Sequence, residues 1–199
     1  MYFFVKRILD ILITVIGTIL FFPLIIVISA VILITSGYPI FFLQERVGKN
    51  WKMFKIIKFR TMLKNADKMG MNISTFNDSR ITSVGKILRK FKLDEIPQIF
   101  NVLIGNMSLV GPRPELLKYA EYYADDYSEI LKIKPGITDY ASIEFKDESE
   151  LLSHSTDNEK IYLTKILPEK ISLYKKYLKE ANLKTDLKII FTTFKVIFR

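Results

Sequence analysis

The stretch KLDEIPQIFNVLIGNMSLVGPRP, residues 92–114, decides how the rest of the chain is interpreted. Its apolar residues recur from Leu93 onward with a helical period, which predicts an α-helix. Pro97 is tolerated only in the first turn of a helix, so the helix is expected to start near Leu93 or Asp94. Asp94 and Glu95 then lie at its N-terminus, where the helix dipole favours ionised carboxylates.

This acid pair has two interpretations. It can be no more than a favourable helix start, or it can be part of a site. Adjacent helical residues point about 100° apart, so the two acids can take different roles but cannot chelate an ion symmetrically. The stretch ends in Pro112-Arg113-Pro114, where two prolines stiffen the backbone around a guanidinium that suits a phosphate. An ionised Asp94 beside such an arginine favours a site for a phosphate and its metal.

Composition limits the classes of protein that fit. The 199 residues suffice for one domain with a real core. The 30 Lys and Arg against 21 Asp and Glu give a net charge of +9, and the mean hydropathy is +0.19. This apolar content argues against a nucleic-acid binder and favours membrane lipid as a partner, with basic faces toward anionic head groups. The absence of cysteine excludes disulfides, thiolate–metal sites and a cysteine nucleophile.

Residues Ile8–Leu43 are almost wholly apolar and predict a membrane segment, because the run is too long for a signal peptide. Pro23 predicts a kink between two halves, Val5–Phe22 and Pro23–Ser36. A single tilted helix could cross the bilayer, and a kinked helix could dip in and return. Basic residues flank both sides of the segment and favour the cytoplasm, so we expect a re-entrant helix, residues 1–38, with both ends cytoplasmic.

The remaining residues, 39–199, are expected to form a membrane-associated cytoplasmic domain. Two β-prone runs around Gly48-Lys49-Asn50 predict a β-hairpin, on which Lys58 is either an ordinary surface lysine or a phosphate ligand. A helix through Arg89 would place that residue about one turn before Asp94.

Three further predictions concern the rest of the domain. A short helix is predicted over Thr61–Met71, and His154 is predicted to be a surface residue. Near the C-terminus, one apolar stripe with neighbouring lysines predicts either an interfacial amphipathic helix or ordinary core packing. The stripe consists of Leu183, Leu187, Ile190, Phe194 and Ile197.

Four motifs resemble the bacterial sugar transferase family, the monotopic polyprenyl-phosphate phosphoglycosyl transferases. They are KFRTM at 58–62, the run at 80–114, PGIT at 135–138, and Lys6, Arg7 and Asp10 ahead of the proline-broken apolar helix. The resemblance covers essentially the whole chain. It implies an α+β, mainly helical fold with a re-entrant membrane helix kinked at Pro23, a small β-hairpin, a catalytic helical core and interfacial amphipathic helices.

The resemblance also implies an activity. Such enzymes transfer a sugar-1-phosphate from a UDP-sugar to undecaprenyl phosphate and release UMP, at the cytoplasmic face of the bacterial inner membrane. By position, Asp94 is the nucleophile of a covalent intermediate, and Glu95 is its acid/base or positioning partner. Mg²⁺ is implied as cofactor, bridging Asp94 and the diphosphate. Arg113 would contact phosphate or nucleotide, and Lys58 and Arg89 match basic positions around the site.

Two departures from the family pattern bear on these expectations. Phe22 stands where serine commonly precedes the helix-breaking proline, and residues 139–145 differ from the common continuation after PGIT. The sugar is therefore not inferred, and the oligomeric state is left open. The alternative to the enzyme is a catalytically inert, membrane-anchored basic interaction protein.

Overall fold

The computed structural model of the chain describes residues 2–66, 78–148, 152 and 157–197. Within them the fold is mainly helical with two small sheets, which confirms the predicted α+β class. The helices are α1 (Tyr2–Ser36), α2 (Ser83–Lys90), α3 (Gln98–Ile104), α4 (Leu117–Tyr122), α5 (Ala124–Ile130), α6 (Tyr140–Glu144), α7 (Asn158–Ile161), α8 (Leu167–Glu180) and α9 (Leu183–Ile197). The strands are β1 (Phe41–Val47), β2 (Met53–Phe59), β3 (Ser108–Val110) and β4 (Gly136–Thr138).

Helix α1 is long and apolar enough to cross a membrane, and it runs through Pro23 as one element of 35 residues. Most of its apolar side chains are exposed, as expected of a surface that meets lipid. Its buried residues fall into two groups. Lys6, Asp10 and Thr14 lie near its start, and Ile25, Ile28 and Ile32 lie in its second half. Both halves of α1 therefore pack against the rest of the chain.

The predicted hairpin is confirmed. Strands β1 and β2 pair antiparallel, with Phe41 opposite Phe59 and Val47 opposite Met53. The 3₁₀ turn between them contains Asn50 with a φ of 55°, a left-handed conformation that asparagine tolerates.

A second sheet was not predicted from the sequence. Strands β3 and β4 pair in parallel, with Ser108 opposite Gly136. A Cβ atom on Gly136 would lie 2.1 Å from the backbone nitrogen of Gly111, so this close approach requires glycine. The pairing places the backbone around Pro112-Arg113-Pro114 beside the residues that follow β4.

The predicted start of the central helix is wrong by about one turn. Helix α3 begins at Gln98, and Leu93–Glu95 form a separate 3₁₀ turn after Lys92, which has a φ of 55°. Pro97 has no N–H to donate to the Leu93 carbonyl, which instead accepts from the Ile96 N–H at 3.2 Å. The proline therefore tightens the turn that carries both carboxylates.

Two other segments bear on the predictions. Residues 61–65 contain an isolated bridge between Met62 and Ile81 and a turn rather than the start of the predicted helix, and Ala66 is in a 3₁₀ conformation. The remainder of Thr61–Met71 lies outside the described residues, as does His154. In α9, none of the five stripe residues is buried, whereas Ile189 and Asp186 face inward. Phe194 is 53 % exposed, which favours the interfacial interpretation over core packing.

Candidate active site

Glu95 is the centre of a buried ion-pair cluster. Its Oε1 accepts from Lys58 Nζ at 2.7 Å, and its Oε2 accepts from Arg113 Nη1 at 3.1 Å. A second Arg113 nitrogen, Nη2, also donates to Oε1. Lys58 comes from β2, Glu95 from the 3₁₀ turn and Arg113 from the segment after β3. Three residues singled out from the sequence are therefore in direct contact.

Charge rather than burial controls the Glu95 carboxylate. Burial alone would raise the pKa of Glu95, but the positive charges of Arg113 and Lys58 outweigh it and hold that pKa well below its usual range. The Glu95 charge in turn raises the pKa of Arg113. Burial lowers the pKa of Lys58 in spite of its carboxylate partner. Glu95 is thus an ionised anchor for two cations near neutral pH.

Asp94 lies one residue away and has a different environment. Its side chain is buried, yet it forms no hydrogen bond or ion pair with any residue that the structure describes. Burial, and then the charge of Glu95, raise its pKa, while the charges of Lys58 and Arg89 act in the opposite direction. The predicted helix N-terminus at Asp94 is wrong, because Asp94 sits in a 3₁₀ turn, and burial has the largest effect on its pKa.

Arg89 approaches the pair from α2. Its Nε donates to the Thr61 hydroxyl at 2.8 Å, and its charge acts on Asp94. Helix α2 reaches this position because Gly85 packs on the Thr61 backbone; a Cβ on Gly85 would lie 2.1 Å from the Thr61 oxygen. The structure thus brings Arg89 to the same cluster as the other predicted site residues, and adds Thr61.

Asp139 is a site residue that the sequence reasoning missed. Its Oδ2 accepts from the backbone N–H of Arg113 at 2.9 Å, and its other oxygen accepts from the Ser142 N–H at the start of α6. It is almost fully buried, and burial raises its pKa. The spacing Asp-x-x-Ser directly after a strand is a helix-cap signal that could have located it. Asp139 fixes the backbone from which the Arg113 side chain projects.

The donor set fits a magnesium ion only in part. Among the described residues, no group of three or more His, Cys, Asp or Glu side chains converges in space. Both oxygens of Glu95 are already engaged, which leaves Asp94 as the available carboxylate of the pair. Protein-bound Mg²⁺ commonly uses one or two carboxylates and completes its shell with substrate phosphates and water. The site therefore suits an ion shared between Asp94 and an anionic substrate, not an all-protein cage.

The half of α1 that follows Pro23 packs against the elements that form this site. Ile25, Ile28 and Ile32 form one apolar cluster with Phe59 and Leu88. Leu93, Ile96, Ile99 and Phe100 pack against that cluster from the 3₁₀ turn and α3.

The chain is similar to known sugar transferases. The family model for bacterial sugar transferases matches residues 1–199. The UDP-glucose:undecaprenyl-phosphate glucose-1-phosphate transferase of Klebsiella pneumoniae is 39 % identical over 94 % of this chain and 39 % of its own length. The UDP-N-acetylgalactosamine-undecaprenyl-phosphate N-acetylgalactosaminephosphotransferase of Aeromonas hydrophila is 42 % identical over 71 % of this chain and 34 % of its own length. The chain thus spans less than half the length of these two relatives.

A shorter relative aligns along most of its length. The exopolysaccharide production protein ExoY of Rhizobium meliloti is 31 % identical, over 94 % of this chain and 83 % of that protein.

Proposed function

Because the chain belongs to the bacterial sugar transferase family, we propose that it transfers a sugar-1-phosphate from a UDP-sugar to undecaprenyl phosphate, releasing UMP. The names of the relatives from Klebsiella and Aeromonas support this substrate pair. One structural observation carries the proposal: of two adjacent buried carboxylates, Glu95 is held by two cations and Asp94 has no direct partner among the described residues. An unpaired carboxylate beside fixed cations suits nucleophilic attack on a phosphate.

The reaction would proceed in two displacements. An Asp94 oxygen attacks the phosphorus that bears the sugar, an Asp–O–P bond forms, and the P–O bond to UMP breaks. A phosphate oxygen of undecaprenyl phosphate then attacks the same phosphorus and releases the Asp94 carboxylate. The raised pKa of Asp94 supports this role, because an ionised oxygen of higher basicity is a better nucleophile.

We assign Glu95 a positioning role rather than an acid/base role. A group whose pKa lies well below its usual range neither holds nor accepts a proton readily near neutral pH. Its two oxygens instead orient Lys58 and Arg113. The Arg113 side chain remains 33 % exposed, so part of its guanidinium can still meet a diphosphate oxygen. Arg89 adds a third positive charge that offsets the repulsion between Asp94 and the anionic donor.

Magnesium belongs to the same proposal. Asp94 is the carboxylate that would hold Mg²⁺ together with donor phosphate oxygens, and the ion would neutralise charge on the diphosphate. The residues of the chain would still align the phosphate: Arg113 and Lys58 from one side, and Arg89 from α2.

The contacts of α1 support a re-entrant topology. Near its start, Lys6 Nζ bonds Asp186 of α9 at 2.8 Å. At its end, Arg60 Nη2 donates to the carbonyls of Ser36 and Gly37 at 2.6 and 2.7 Å. A helix that crosses a bilayer has its ends on opposite sides, whereas here one folded body holds both ends. We therefore propose that both ends of α1 lie on one face of the membrane, and the basic residues on both of its flanks favour the cytoplasmic face of the bacterial inner membrane.

The test is a UMP-release assay on the purified chain with Mg²⁺, undecaprenyl phosphate and a panel of UDP-sugars. We expect release of UMP from at least one donor, and its loss in Asp94→Asn. A brief reaction with a donor radiolabelled in its sugar should leave label on the wild-type protein and none on the variant. UMP release by Asp94→Asn at the wild-type rate would refute the nucleophile assignment. Folded protein that neither binds UDP nor releases UMP would instead indicate an inert, anchored protein.

A further inference from the structure

A pair of cations meets at the C-terminal end of α3, away from the cluster around Glu95. Gly105 ends this helix with a φ of 99°, and a Cβ built on it would lie 3.4 Å from Arg7 Nη2 and 3.6 Å from Lys134 Nζ. A single point above Gly105 is therefore close to both nitrogens. Because glycine has no side chain, that point is open to another group.

Among the residues that the structure describes, no acid pairs with either cation. Arg7 donates to the carbonyls of Val102 and Leu103 at 2.8 and 3.3 Å, which fixes its guanidinium at the end of the helix. Lys134 forms no hydrogen bond or ion pair with the residues that the structure describes. Burial and the charge of Arg7 lower the pKa of Lys134, so these two groups repel each other in the folded chain.

The acids nearby are already engaged. Asp10 accepts from the Ser108 hydroxyl at 2.7 Å and forms an ion pair with Lys6, which also binds Asp186 at 2.8 Å. The charge of a third cation, Lys49, also acts on Lys134 and lowers its pKa further. The charge of Asp10 acts on Lys134 in the opposite direction, but Asp10 already has other partners among the described residues, so the positive charge at Gly105 can accept a further anion.

The surroundings of the pair are apolar and exposed. Phe4 and Ile11, one turn before and one turn after Arg7 on α1, are 73 % and 37 % exposed. Ile104, next to Gly105, is 69 % exposed. Exposed apolar side chains beside a pair of cations are the arrangement expected where a protein surface meets lipid head groups.

We propose that Arg7 and Lys134, meeting over Gly105, bind the phosphate of an anionic phospholipid headgroup while Phe4, Ile11 and Ile104 contact its acyl chains. The phosphate oxygen takes the position above Gly105, where it accepts from both cations and relieves their repulsion. The guanidinium is held by two carbonyls, so little side-chain entropy is lost on binding. This site lies near the N-terminal end of α1 and is separate from the ion-pair cluster around Glu95.

The probe is phosphatidylglycerol, titrated into the purified full chain in a non-ionic detergent, with bound lipid counted by native mass spectrometry. The test variant is Lys134→Gln, and the matched control is Lys132→Gln, an exposed lysine on the same connection. We expect Lys134→Gln to weaken the tightest phosphatidylglycerol site about tenfold, the effect of losing one charge-assisted hydrogen bond. Lys132→Gln should leave it unchanged, and Lys134→Arg should retain most of the binding.

Two further measurements distinguish a lipid phosphate from free inorganic phosphate as the ligand. Zwitterionic phosphatidylcholine should bind more weakly than phosphatidylglycerol, and inorganic phosphate at millimolar concentration should not displace the bound lipid. Equal binding by wild type and Lys134→Gln would overturn the proposal. So would equal losses in the two glutamine variants, which would indicate unspecific attraction, or displacement by inorganic phosphate, which would indicate a site for a soluble anion.

Discussion

Replacing Glu95 with glutamine should destabilise the protein strongly, although the side chain keeps nearly the same shape. The carboxylate accepts from Lys58 Nζ at 2.7 Å and from Arg113 Nη1 at 3.1 Å. The side chains of Lys58 and Glu95 are only 18 % and 14 % exposed. Glutamine would leave two cations close together without a counter-charge. Its amide nitrogen, which donates, would also replace one of the two carboxylate oxygens that accept from Lys58 and Arg113.

The magnitude follows from the burial of the cluster. Removing one partner from a buried ion pair costs about 3–5 kcal/mol, and the partial exposure of Arg113 favours the lower end, about 3 kcal/mol. For a chain of this size each kcal/mol corresponds to about 2–4 °C in the unfolding midpoint, so we expect a decrease of roughly 6–12 °C.

Asp94→Asn is the matched control, because it removes a neighbouring carboxylate of similar burial that has no direct partner among the described residues. Burial and Glu95 raise the pKa of Asp94, so its negative charge is unfavourable to folding above its usual pKa of 3.8. The unfolding midpoint of Asp94→Asn should therefore equal or exceed that of the wild type. Both variants should lose UMP release, but only Glu95→Gln should lose stability.

The assay is thermal unfolding in detergent, followed by circular dichroism between pH 4 and 8. The pKa of Glu95 is lowered on folding, so its contribution is present above its usual pKa of 4.5 and is lost as the pH falls below that value. The difference between wild type and Glu95→Gln should accordingly shrink toward pH 4. Equal decreases in midpoint for the two variants, or a Glu95→Gln midpoint within 1–2 °C of wild type, a shift of well under about 1 kcal/mol, would refute the reasoning.

Two further predictions concern Asp139 and the topology of α1. Asp139→Ala removes the acceptor of the Arg113 N–H and should lower kcat/KM for the UDP-sugar about tenfold, mainly by raising KM. Asp139→Asn keeps one acceptor oxygen and should recover part of the loss. An unchanged KM in Asp139→Ala would contradict the positioning role. Cysteines introduced singly at Tyr2 and Asn50 of this cysteine-free chain should both react with a membrane-impermeant maleimide only after the cytoplasmic side is exposed, whereas labelling from opposite sides would mean that α1 crosses the bilayer.

The sequence identified the residues of the candidate site better than it identified their local structure. Lys58, Glu95 and Arg113 were singled out by motif and charge, and the structure places them in contact. The hairpin was predictable because a turn signal separates two β-prone runs. The β3–β4 pair was not, because three-residue strands carry too little periodicity, and their pairing depends on a close approach of Gly111 and Gly136 that only the folded chain reveals.

The adjacent acids show a second limit of sequence reasoning. A pattern can mark Asp94 and Glu95 as a pair, but it cannot show which of them receives the cations. That distinction depends on the tertiary structure, in which Lys58 of β2 and Arg113, which follows β3, both contact Glu95. The opposite shifts in the pKa values of the two carboxylates are consequences of tertiary packing, which local propensity does not encode.

Pro97 links this site to the membrane helix. By withholding an N–H from the Leu93 carbonyl, it produces the 3₁₀ turn that directs Asp94 and Glu95 differently. The apolar residues of the same turn, Leu93 and Ile96, pack against the cluster formed by the second half of α1. A displacement of that half of α1 would therefore move the backbone that carries both carboxylates. The transfer proposed above brings a water-soluble donor and a lipid acceptor to one phosphorus, and the packing of α1 against the turn that carries the acid pair couples the proposed nucleophile to the helix that is apolar enough to enter a membrane.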